Sequence, residues 1–216
     1  SSENDFSFSI DKKYKINDFI LKSKINLNNV DYKVQLPFLK KFLPNFNNLI
    51  KLQNHKILIN YKKNELNVEG KGNISIKGAE DYFDYKLSQD NKGYKFDTSF
   101  NIEKNQFLID VLNYKKNADL KASLKLKGIY NKEEQVKFST ILFTDEEKNK
   151  LLINGLSLNK KFKISNIVSL KFDFINVNTQ NDIHEILLLI LNKLNEEIKT
   201  NNIKHYNNNY INYNNP

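Results

Sequence analysis

The chain has 216 residues, enough for one or two domains with a real core, and its 39% hydrophobic and 12% aromatic content excludes a disordered chain. Its 34 basic residues are all lysine and outnumber 25 acidic ones to give +9, a balance that draws anionic partners, yet the lack of arginine argues against a nucleic-acid reader, which uses arginine forks on guanine. With no cysteine there is no disulfide framework, thiolate metal site or cysteine nucleophile, and with no methionine the chain reads as a processed product or a segment of a longer protein.

Period-two alternation, the mark of a strand with one buried face, dominates the chain. In order, the strands it predicts are 14–27, 30–36, 49–61, 66–76, 80–89, 94–102, 106–114, 120–128, 135–144, 150–158 and 162–176, eleven in all. Between Ile16 and Phe19 the apolar phase slips by one residue, which predicts a bulge. The segment from Pro37 to Pro44 puts Leu39, Phe42 and Leu43 at helical spacing between two prolines, a short helical turn placed to plug or cap the sheet. The cleanest strand carries Leu120, Ala122, Leu124 and Leu126 against Lys121, Ser123, Lys125 and Lys127. Polar breaks such as Asn28-Asn29, Lys62-Lys63-Asn64, Asn91-Lys92-Gly93 and Asp145 to Asn149 supply hairpin turns, and none can hold a helical crossover, so the strands form an antiparallel meander.

Asp182 caps a helix running to about Thr200, with Ile183, Ile186, Leu187, Ile190, Leu191, Leu194 and Ile198 on one face. Residues 201–216, mostly Asn and Tyr, read as a tail or linker. The organisation expected is therefore a repetitive β segment over 1–180, an amphipathic helix over 181–200 and a tail over 201–216. No apolar run approaches the roughly 20 residues of a membrane-spanning helix.

The residues of chemistry are scattered. His55, His184 and His205 stand apart in sequence, His55 reading as the start of a strand and His184 as a helix-surface residue. Gly70-Lys71-Gly72 lacks the third glycine and the helix of a phosphate loop, and marks a strand where another group approaches the backbone closely. A strand turns Asp81 and Asp84 to opposite faces, and Asp145 to Glu147 falls in a turn. No catalytic set, metal site or cofactor is expected, and the chain does not read as an enzyme.

What remains is the apolar face. Eleven antiparallel strands with one oily face must close, stack or curl around something apolar. The helix over 182–200, about 28 Å long, is too short to shield such a sheet. A curled sheet follows, its interior lined by Leu66, Val68, Ile74, Ile76, Phe96, Phe100, Leu120, Leu124, Leu126, Phe138, Leu142, Leu156 and Leu158.

The stretch Leu49 to Ile76 (LIKLQNHKILINYKKNELNVEGKGNISI), with Ala118 to Tyr130 and Leu152 to Asn166, resembles the repetitive periplasmic region of AsmA-like proteins, of YhdP-like more than TamB-like type. The resemblance extends over roughly residues 1–176 and is carried by a recurring strand and turn pattern. It implies a long U-shaped sheet, a β-taco, anchored in the inner membrane of a Gram-negative bacterium and crossing the periplasm. It further implies that phospholipid acyl chains travel along the groove toward the outer membrane, with membrane surfaces reached through the full-length protein. The rival expectation is a structural or adhesive β-domain with a dry core, whose partners are proteins.

Overall fold

The computed structural model describes residues 1–34, 39–40, 42–63, 65–91, 93–109, 112, 114–131, 136–160 and 164–174. The helix expected over 182–200 and the tail over 201–216 lie outside the described residues. Within them the alternating segments are strands: β1 (Ser2–Ile10), β2 (Ile16–Lys33), β3 (Leu49–Lys62), β4 (Glu65–Ile76), β5 (Ala79–Asp90), β6 (Gly93–Ile102), β7 (Phe107–Ile109), β8 (Tyr114–Lys116), β9 (Ala122–Asn131), β10 (Val136–Asp145), β11 (Lys150–Leu158), β12 (Ile164–Asn166) and β13 (Ser169–Asp173). Eleven of them make one antiparallel sheet in the order β1-β2-β3-β4-β5-β6-β9-β10-β11-β12, with β13 also on β11, and the sheet does not close into a barrel.

Several strands differ from the sequence reading. Strand β1 was not expected, because Phe6, Phe8 and Ile10 alternate over too short a run to stand out. Strand β2 runs unbroken through Asn28-Asn29, because its C-terminal half pairs with β3 out to Lys33–Leu49, and that ladder outweighs the turn preference of asparagine. Of the segment expected as a strand over 106–114, Phe107–Ile109 form β7 and Tyr114 begins β8, paired in a separate hairpin, while residues 110, 111 and 113 lie outside the described residues. The long strand expected over 162–176 is split into β12 and β13, both paired with β11. The expected bulge is present: Ser7 pairs with Ile20 but Ser9 with Asn17, and Asp18 takes the left-handed conformation at φ 52°.

A meander sends alternate connections to opposite rims. One rim carries the tight turns after β1, β3 and β5; the other carries the two longest connections, 34–48 and 103–121. The described residues Phe42 and Leu43 of the first connection and Phe107, Ile109 and Leu112 of the second fold onto one sheet face at that rim. Phe107, Ile109 and Leu112 pack there against Ile102, Ala122, Phe143 and Phe174, with Leu43 beside them. Within the proline-bounded segment, the Leu39 carbonyl accepts the N–H groups of Phe42 (3.1 Å) and Leu43 (2.7 Å), while residues 37, 38 and 41 lie outside the described residues. Phe42 stacks on Phe107 at 6.1 Å and its carbonyl accepts the Leu108 N–H, so the two connections form one roof.

A polar knot fastens this roof. The Asp81 carboxylate accepts the N–H groups of Glu103 (2.6 Å), Lys104 (2.7 Å) and Asn105 (3.2 Å) and the Asn105 side-chain amide (2.9 Å). Lys116 is fully buried and donates from Nζ to the carbonyls of Glu103 (3.1 Å), Asn105 (2.8 Å) and Asn117 (2.8 Å). Burial pushes the Lys116 ammonium down from its ordinary pKa, opposed foremost by the charge of Asp81.

Candidate functional site: one apolar sheet face

Directly opposite residues of an antiparallel pair share a face, so the pairing registers assign every side chain. From β4, Leu66, Val68, Ile74 and Ile76 share a face with Tyr61, Ile59 and Leu52 of β3 and with Leu87 and Phe83 of β5. The face continues through Phe96 and Phe100 of β6 to Leu124 and Leu126 of β9, then to Phe138, Ile141 and Phe143 of β10 and to Leu151, Ile153, Leu156 and Leu158 of β11. In the other direction it passes Leu21 and Ile25 of β2 to Phe6 of β1. The opposite face carries Lys22, Lys24, Lys56, Glu69, Lys71, Lys86, Asp97, Lys125 and Lys127. The sheet is thus amphipathic from edge to edge.

Eleven of the thirteen expected lining residues stand together on this face. Leu142 does not. The β9–β10 register shifts between Phe138 and Thr140, so the apolar positions of β10 pass from Val136 and Phe138 to Ile141 and Phe143, and Leu142 pairs with Lys125 on the polar face. Strand β11 changes phase in step at Gly155, whose φ is 64° and over which the Val168 side chain lies so closely that a Cβ would stand 2.3 Å from it. Leu120 precedes β9 and is not a strand residue. The face also takes Ile57, Ile59, Tyr61, Phe83, Tyr85 and Leu87, which the expected lining omits; Phe83, Tyr85 and Leu87 alternate with Asp84, Lys86 and Ser88, whereas the apolar Leu58 between Ile57 and Ile59 masks the alternation there.

Glycines let neighbours lie flat on this face. Opposite Gly70 sits Tyr85, whose ring occupies the place of the missing side chain, and Gly72 makes room for His55. Here the reading of Gly70-Lys71-Gly72 as a close-approach site takes its physical form. His55 itself corrects the sequence reading: it lies within β3, fully buried, stacked on Tyr85 at 5.7 Å. Among the described residues, both its ring nitrogens and Gln53 Oε1 nearby in the strand have no hydrogen-bond partner. Burial lowers the His55 pKa from its ordinary value and raises that of the Tyr85 phenol.

Beyond the roof the face is half covered. Leu66, Val68, Leu87, Phe96, Leu126, Phe138 and Leu158 are all half-buried, whereas Phe143 under the roof is 1% exposed. Aromatic contacts bind the strands across it, with Phe83 stacked on Phe100 at 4.3 Å and Phe96 meeting Phe138 edge-on at 5.6 Å. Among the described residues no group of three or more His, Cys, Asp or Glu is placed to hold a metal ion, and no helix is long and apolar enough to cross a membrane. The most elaborate carboxylate sites, Asp81 and Asp145, are engaged in fastening loops; Asp145 accepts the Tyr114 hydroxyl (2.5 Å) and the Asn149 amide (2.8 Å). No family model, curated protein or solved structure matches the chain.

Proposed function

We propose that this chain holds lipid acyl chains along the unroofed part of its apolar sheet face, without catalysis. The observation that carries the reading is the continuity of that face across the sheet, with half-buried side chains from Leu66 on β4 to Leu158 on β11. Contiguous apolar surface of this extent is rare on a protein without a partner for it. Each methylene moved from water onto such a surface is favoured by about 0.8 kcal/mol, and a face of even oiliness offers no single deep trap, so chains held there can also slide. On the AsmA-like resemblance, the cargo is phospholipid moving between inner and outer membranes through the periplasm, and the sheet curls into a U-shaped groove. The roofed end, with Leu112 and Phe143 almost wholly buried, is dry core and takes no part in carrying lipid.

The test is mass spectrometry of the chain purified from cells, alone and with Val68→Asp plus Leu87→Asp. These two residues are directly opposite on β4 and β5, half-buried and outside the roofed core. Water can reach a carboxylate in an open groove, whereas in a dry core it would cost several kcal/mol. Co-purified phospholipid in the parent, lost from a variant that still melts cooperatively, is the expected result. A lipid-free parent, or a variant that unfolds or keeps its lipid, overturns the reading in favour of a protein-contact domain.

A further inference from the structure

Strands β1 and β2 reach past the rest of the sheet. Ile20 pairs with Lys62, the last residue of β3, so the four residues Ile16 to Phe19 overhang the tight-turn rim by roughly 13 Å at the rise of a strand, and the 11–15 turn stands beyond them. That turn is well built. Asp11 Oδ1 accepts the N–H groups of Lys13 (2.8 Å) and Lys15 (3.0 Å), and the Asp11 N–H donates to the Lys15 carbonyl (3.0 Å). The backbone amides of Lys15 and Lys13 hold the Asp11 carboxyl below its usual pKa.

The ordered turn presents apolar groups to water. Tyr14, held at φ 59°, is 90% exposed, and Ile10 and Ile16 beside it are 58% and 63% exposed. Phe6 and Phe8 stack in parallel on the same hairpin, and both are exposed. Lys12, Lys13 and Lys15 are interleaved with them and exposed as well. The two carboxylates of the tip are directed inward, Asp11 to the turn amides and Asp18 to the Ser9 hydroxyl at 3.2 Å. Along the same rim stand Lys62, Lys63 and Lys160, and one residue inside it Tyr94 meets Tyr130 at 6.3 Å.

We infer that the β1–β2 hairpin tip docks this chain on an anionic phospholipid bilayer, with the tight-turn rim toward the membrane. Aromatic and isoleucine side chains with lysines between them are the composition of an interfacial anchor: the apolar groups enter the headgroup boundary and the ammonium groups meet lipid phosphate. A protruding tip suits a soft surface. The inference goes beyond the cargo of the groove, and it places the open side of the apolar face next to the bilayer.

Co-sedimentation with vesicles of phosphatidylcholine, with and without phosphatidylglycerol, tests it on the full chain. The parent sediments with anionic vesicles and releases them as salt rises. Lys12→Gln, Lys13→Gln and Lys15→Gln together weaken this binding, by about fivefold for each lysine removed. Tyr14→Asn with Ile16→Thr abolishes it, asparagine being tolerant of the left-handed conformation at position 14. Lys77→Gln with Lys148→Gln, on the roofed rim, leaves it unchanged, and so does the Val68→Asp plus Leu87→Asp groove variant, which separates docking from cargo. Circular dichroism checks that each variant keeps its strands. Failure of the parent to bind anionic vesicles, parent-like binding by folded tip variants, or a solution dimer that the Tyr14 and Ile16 changes dissolve would each overturn the inference.

Discussion

Among single residues His55 offers the sharpest test, because among the described residues its imidazole nitrogens have no hydrogen-bond partner. A group whose folded-state pKa lies below its unfolded value of about 6.5 is neutral in the fold and takes a proton on unfolding. Protons are then bound by the unfolded chain and not by the fold, so stability contributed by neutral His55 is complete at higher pH and declines as pH falls below about 6.5. The decline continues until the lowered folded pKa is reached, at about 1.4 kcal/mol for each pH unit. Thermal melts from pH 7 toward pH 5 are expected to show this slope in the parent and to lose it in His55→Phe, which keeps a ring against Tyr85 and removes two unsatisfied nitrogens. An equal slope in both proteins would assign the pH dependence to other groups. The sequence marked a close approach at Gly72 but not its occupant, since His55 is 17 residues away and meets it only through the β3–β4 pairing.

At the scale of elements, the β7–β8 hairpin shows how a segment of strand-like sequence can leave the sheet. Phe107 and Ile109 alternate as a sheet strand would, but β6 pairs directly with β9 from Gly93–Asn131 to Ile102–Ala122, so no place in the ladder remains for them. The hairpin turns over the face instead and is fastened by Asp81 and Lys116. Lys116→Met keeps much of the side-chain volume but strips donors from three carbonyls, each costly to leave unpaired. It is expected to cost about 3 kcal/mol. A urea unfolding midpoint lowered at constant slope reports it; an unchanged midpoint would show that water or neighbouring groups replace the ammonium.

Across the whole molecule, one face holds two environments, and a charge should distinguish them. Leu124 packs against the buried cluster beneath the roof, whereas Val68 lies outside that cluster. Leu124→Asp alone is therefore expected to destabilise by several kcal/mol, and Val68→Asp alone to lower the melting temperature by only a few degrees. Differential scanning calorimetry of the two variants decides the matter, and equal losses would mean that the sheet face is dry throughout.

Most strand positions, the antiparallel order and the bulge near Asp18 were written in the sequence by itself, because alternation, turn residues and a phase slip are properties of neighbours along the chain. So was the polarity of the sheet, and with it most of the residues on its apolar face. Only the tertiary structure decided that Leu142 faces Lys125, that Phe107–Ile109 and Tyr114 belong to a roof, and that Lys116 is the buried one among the described lysines. The reason is physical. Side-chain phase beyond a bulge depends on which residue stands across the ladder, and Lys116 is buried because the fold brings the carbonyls of Glu103 and Asn105 to join that of the adjacent Asn117; the register partner and two of the three carbonyls are not sequence neighbours, so no local pattern carries the information.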